Sequence, residues 1–137
     1  MHHADLSNSQ FLHQIETVTI NPELFTHEAH IRMAWLYLNG FNQEMALQHI
    51  STAIKGIDAK YAGGMKFHHT ITVVFANKIA ALMQHKAHKS WQEFVAANAG
   101  LGISKKFLSN YYSDELLYSD KAKTQFVSPD KKPLPAL

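Results

Sequence analysis

The run from Ile71 to Met83 constrains the fold most. Ile71, Val73, Val74, Phe75, Ile79, Ala80 and Met83 make it apolar nearly all round. It carries Asn77 and Lys78 and is too short to span a bilayer, so it is not a membrane segment. Its cluster of β-branched residues suits the start of a strand, but the apolar pattern is long for one. A helix apolar on most sides has to sit among other elements. The spacing therefore predicts a central helix from about His68 to about His88, with further helices packed around it.

The flanking sequence supplies them. Thr26 reads as an N-cap, Glu28 puts negative charge in the first turn, and Ile31, Ala34, Trp35 and Leu38 follow at helical spacing up to the stop signal Asn39-Gly40. Asn42 caps an amphipathic helix through Met45, Ala46, His49, Ile50 and Ile54, and the short link predicts a hairpin of the two. Residues 56–65, with Gly63-Gly64, read as a loop or sharp turn. Ser90-Trp91-Gln92-Glu93 has the capping-box pattern, and Gly100 and Gly102 end that helix. Ser104, Ser113 and Ser119 head three short helices, KKFLSNYY, DELLY and DKAKTQF. Residues 1–20 dictate neither state: Phe11, Leu12 and Ile15 have helical spacing, while Thr17-Val18-Thr19-Ile20 looks strand-like. Residues 126–137 carry prolines at 129, 133 and 135 and read as an extended tail that packs over the bundle and closes one end of a pocket. The expectation is one all-α domain, an irregular bundle of four or more helices spanning residues 1–137.

Composition excludes several functions. With no cysteine, disulfides, thiolate catalysis and cysteine-ligated metals are ruled out, and a reducing cytoplasm is the natural setting. The formal charge is +2 and Arg32 is the single arginine, which argues against nucleic acid as a partner. No signal peptide is visible, and no membrane partner is expected. Walker, dinucleotide, zincin and nucleophile-elbow motifs are absent.

Ten histidines in 137 residues is the unusual number. His2, His3, His13, His49, His85 and His88 read as surface positions, the last two solvated among Gln84, Lys86 and Lys89. Met1-His2-His3 offers an incidental copper or nickel site. His27 and His30 differ: one turn apart, they share the stripe of Ile31, Ala34 and Leu38 that the helix should bury. A buried imidazole needs partners for its nitrogens. His68 and His69 stand where the central helix begins, beside Thr70 and Thr72. Two histidines from one helix and a third from another element make a site for a divalent transition metal, and neutral imidazole suits zinc, iron, copper or nickel alike. The expected ligands are His27, His30 and His68, with His69 close by. Neighbouring helical positions diverge by about 100°, so His68 and His69 do not both reach one metal; one belongs to the cap or the outer sphere. Glu28 reads as a surface or outer-sphere carboxylate, Tyr37 as core or as pocket wall beside His30, and Asp120 as a cap in preference to a distant ligand.

The segments FTHEAH-IRMAWLYL, KFHHTIT and YYSDELLYSDKAKTQFVSPDKKPLP together resemble a family of small uncharacterised bacterial helical proteins. That family has F-T-H-x-x-H running into A-W-x-Y-L, then K-Y-H-E-T-x-T, then Y-Y-S…L-x-S-D-x-A…F-x-x-P-D…P-L-P. The resemblance covers most of the chain after residue 24. It carries His27, His30 and His68 onto the family's histidines, puts His69 where the family has glutamate, and implies a shared site without an activity.

The functional expectation is a small metalloenzyme of oxygenase or hydrolase type acting on a small-molecule substrate. The alternatives are a metal carrier or sensor, or a helical interaction domain without metal. A homo-oligomer is left open.

Overall fold

The computed structural model describes residues 1–98 and 105–134. It is all-α, with no strand among the described residues. The helices are α1 (Asn8–Glu16), α2 (His27–Gly40), α3 (Gln43–Tyr61), α4 (His69–His85), α5 (Trp91–Ala97), α6 (Lys105–Ser109), α7 (Asp114–Leu117) and α8 (Asp120–Thr124). Short 3₁₀ turns cover His3–Asp5 and Pro22–Leu24. None of the described helices is long and apolar enough to cross a membrane.

Side-chain caps set most of the helix starts. Thr26, Asn42, Ser90, Ser113 and Ser119 each accept a backbone N–H from the first turn of α2, α3, α5, α7 and α8. The Glu93 carboxylate returns to Lys89 N rather than to Ser90 N, at 2.9 Å. The proposed cap Ser104 and the stop signals Gly100 and Gly102 lie outside the described residues. Gly40 is still helical, and α2 ends instead where Phe41 turns extended. Only Phe41 and Asn42 separate α2 from α3, which pack together as the short link requires.

The undecided N-terminus is resolved by chemistry local to it. Ser7 and Gln10 form a reciprocal capping box that opens α1. The strand-like Thr17–Ile20 is the way out of α1, with Thr19 N and Ile20 N both donating to Gln14 O. Val18 sits at φ 55°, an uncommon conformation for a β-branched residue. Lys60 Nζ donates to Val18 O at 2.6 Å, and the missing Cβ of Gly56 leaves room for the valine. Tertiary contacts to α3 thus override the local β preference.

α4 joins two cores, as its composition requires. Phe75, Ala76 and Ile79 belong to the larger one with α1, α2, α3 and α5, while Val74 belongs to the smaller one with Leu108, Tyr112, Leu117, Ala122 and Val127. The fully buried Thr70 hydroxyl donates to Ala122 O (2.7 Å) and Gln125 O (3.0 Å), and accepts from Val127 N (3.3 Å), tying the extended tail to α4. Tyr112 Oη donates to Val127 O at 2.8 Å, and the Asp130 carboxylate takes both Ser113 N and Ser113 Oγ. The hydrogen bonds to Ser113 hold the Asp130 carboxyl below its ordinary range.

Candidate functional site: a histidine-lined cavity

His27 is the first residue of α2, and His30 lies one turn in. His30 stacks on Phe25 with ring centroids 3.9 Å apart, and its Nδ1 lies 2.8 Å from Thr26 O. A carbonyl oxygen only accepts, so Nδ1 carries the proton and Nε2 keeps the lone pair. Burial, with His27 a smaller contributor, holds the His30 pKa below its ordinary value, so the ring is neutral at pH 7.

The loop into α4 is built as carefully. Gly63 and Gly64 take positive φ values of 66° and 76°, which a side chain disfavours. The buried Asp58 carboxylate then receives Lys66 N (3.0 and 3.2 Å) and Phe67 N (2.9 Å). Those bonds seat Phe67 in the protein and deliver His68 to the N-cap of α4. There His68 Nδ1 accepts from Ile71 N at 3.2 Å, so Nε2 bears the proton and donates to Leu117 O at 2.7 Å.

These elements meet around a cavity of ≈ 390 Å³. His27, His30 and His68 line it together with Lys66 and Thr72, and Ile54, Phe67, Ile71 and Phe75 form its apolar wall. Three of the four expected histidines therefore line one cavity, from two segments far apart in sequence, but their ring nitrogens do not all lie within 4.8 Å of one another. His69 is not among the lining residues; it opens α4 edge-on to Phe67, centroids 6.2 Å apart. Burial and then the Lys55 charge hold its pKa below the ordinary value.

Several details differ from expectation. His27 is exposed and His30 half-buried, because α2 turns Ala29, Ile31, Arg32 and Met33 into the core while these rings sit at its rim. Both nitrogens of His68 are already engaged, so the ring holds the loop and the cap as it stands. Tyr37 does not line the cavity: its hydroxyl donates to Glu16 at 3.1 Å and its ring stacks on His49. Burial, then the Glu16 charge, pushes the Tyr37 phenol well above its ordinary pKa. Ser119 rather than Asp120 caps α8. None of the described tail residues lines the histidine cavity. His88 is not solvated: its ring lies edge-on to Phe94, and both nitrogens are buried without a hydrogen-bond partner among the described residues.

A tighter cluster lies elsewhere. Among the described residues, the only group of three or more His, Asp or Glu with ligand atoms within 4.8 Å of one another is His2, His3 and Glu28. Hydrogen bonding makes it a poor metal site. Arg32 Nη1 donates to His3 Nδ1 at 3.2 Å, so the proton of the neutral ring is on Nε2, which donates to Glu28 Oε1 at 2.9 Å. A metal on Nε2 would force the proton onto Nδ1, against the Arg32 donor. The cluster is instead a clasp for the N-terminus. Arg32, 1% exposed, also donates to His3 O (2.6 Å), Leu6 O (2.8 Å) and Asn8 Oδ1 (3.0 Å), and lies between the rings of Phe11 and Trp91. The sequence carried a signal for it: a lone arginine inside the apolar string Ile31-Arg32-Met33-Ala34-Trp35 must bring its partners with it.

The chain matches no protein-family model, no curated protein and no solved structure.

Proposed function

We propose that the cavity between α2 and the start of α4 is the functional site, and that it holds a divalent transition metal on His27 and His30. Zinc, iron, copper and nickel all suit such imidazole donors. The observation that carries this reading is that His27, His30 and His68, from two separate segments, line one cavity. The His30 ring supports it further: a proton on Nδ1 bonded to a carbonyl is the usual orientation of a metal-binding imidazole, with Nε2 left for the metal. His68 stands beside them and reaches a metal only by giving up Ile71 N or Leu117 O. Two protein ligands leave coordination positions for water and a small-molecule substrate, the pattern of a catalytic rather than a structural centre.

A non-catalytic carrier or sensor is the second reading. It is favoured by the absence of a carboxylate among the described lining residues, which leaves no acidic general base at hand. Membership of the bacterial helical family that the sequence resembles, and a cytoplasmic setting, belong to the same proposal.

The test starts from a His2→Ala, His3→Ala background, which removes the N-terminal imidazoles. In that background the protein retains one metal per chain by elemental analysis, and adding His27→Ala and His30→Ala abolishes it. Full metal content after the second pair of changes would refute the assigned ligands.

A further inference from the structure

The histidine cavity has a charge character that metal binding leaves unused. Lys66 is the only lysine, arginine, aspartate or glutamate among its described lining residues. Asp58, whose oxygens take the backbone N–H groups of Lys66 and Phe67, is not a lining residue of this cavity but of a neighbouring one that shares Phe67. Lys66 itself is exposed, and Phe67, Phe75 and Ile71 line the same cavity. A cation entering the cavity meets Lys66 and, among the described lining residues, no carboxylate. A neutral ligand makes no use of its charge. A divalent metal on neutral imidazoles would itself keep its full charge and draw an anion as its remaining ligand. At ≈ 390 Å³ the cavity is near the small end of ligand sites, enough for one ring and one polar group.

We propose that the ligand class of this cavity is a small organic carboxylate, its charged group at Lys66 and its apolar body against Phe67, Phe75 and Ile71. The inference rests on the reading that this cavity is the functional site, and it does not require a metal to be present. A single ammonium beside imidazoles matches a monoanion better than a phosphate dianion, which calls for several donors.

Three probes of one shape and different charge test it: benzoate, benzamide and benzamidine, titrated into full-length, chelator-treated protein and followed through backbone amide resonances. Benzoate should shift Phe67, His68, Ile71 and Thr72 saturably. Benzamide should bind roughly five-fold more weakly, the scale of one exposed charge pair, and benzamidine more weakly still. Lys66→Met, whose backbone keeps its bond to Asp58, should remove the preference for benzoate over benzamide. Lys86→Gln, the same loss of charge at an exposed position past the far end of α4, should leave that preference intact. Equal binding of benzamide and benzoate, or a benzoate preference that survives Lys66→Met, overturns the charge selection while leaving the cavity a ligand site. If none of the probes shifts those amides, the carboxylate inference fails; metal analysis of the His27 and His30 variants then decides the functional reading separately.

Discussion

Replacing Arg32 by methionine isolates what its charge contributes. Methionine keeps an apolar stem between Phe11 and Trp91, so packing is largely retained. What disappears is a set of donors to His3 O, His3 Nδ1, Leu6 O and Asn8 Oδ1. Each hydrogen bond from a charged donor contributes about 1.5–3 kcal/mol, so a simple sum would run well above 5 kcal/mol. That sum is too large, because the acceptors belong to a terminal segment that can leave its seat and rehydrate. The loss is then bounded by the docking of residues 3–8, and about 3 kcal/mol is expected, with a fall in Tm on the order of 10 °C. Arg32→Lys keeps the charge but lacks the planar fork and should recover only part of the loss. Urea unfolding followed by tryptophan fluorescence measures the global cost. Amide exchange at Leu6, whose N–H is bonded to His3 O, measures the local one and should accelerate strongly. A cost under about 1 kcal/mol with Leu6 protection unchanged would refute the clasp, since one unmade buried hydrogen bond alone reaches that figure.

Thr70→Val should cost about 2 kcal/mol, because the isostere leaves Ala122 O, Gln125 O and Val127 N without their shared hydroxyl; chemical unfolding checks it, and proteolysis should find the tail first. Gly64→Ala should cost roughly 1 kcal/mol from backbone conformation alone, since φ is 76° and no atom of the described residues lies within 4 Å of the added methyl; a neutral result in thermal unfolding would argue against the loop geometry. His3 and His30 both have folded pKa values below the ordinary 6.5, mainly through burial. The unfolded chain therefore binds more protons as pH falls below about 6.5, and stability should drop from pH 7 towards pH 5 as these rings are forced to charge. His30→Gln should flatten that decline in urea midpoints, and an unchanged pH dependence would show that His30 is not held neutral.

Helix starts were the most legible part of the chain. Thr26, Asn42, Ser90, Ser113 and Ser119 act through one side-chain oxygen on a nearby backbone N–H, a local interaction that spacing alone reveals. Helix ends were less so: α3 runs on to Tyr61, because burial of Ile57 and Asp58 extends it towards the Gly63-Gly64 turn. The conformation of Thr17–Ile20 depends on Lys60 and Gly56 of another helix, which no local pattern encodes. That His27, His30 and His68 line one cavity accords with placing each at a helix start near the core. What spacing could not supply was the direction of each nitrogen, and so the engagement of His68 with Ile71 N and Leu117 O. Lys66 is not legible as a cavity residue, because an exposed loop lysine looks the same in sequence whether or not it borders a pocket. The Arg32 clasp is not legible in spacing, because two of its four acceptors are backbone carbonyls and all of them lie in a segment more than twenty residues away.

Zinc titration read through the imidazole nitrogens tests the account most directly. In long-range proton–nitrogen spectra of the His2→Ala, His3→Ala protein, His30 Nε2 and the His27 ring should shift together and saturate at one zinc per chain, with His30 Nδ1 still protonated. If those nitrogens keep their metal-free shifts, or if zinc moves only His13, His49, His85 or His88, the cavity does not hold the metal and the proposed function is wrong.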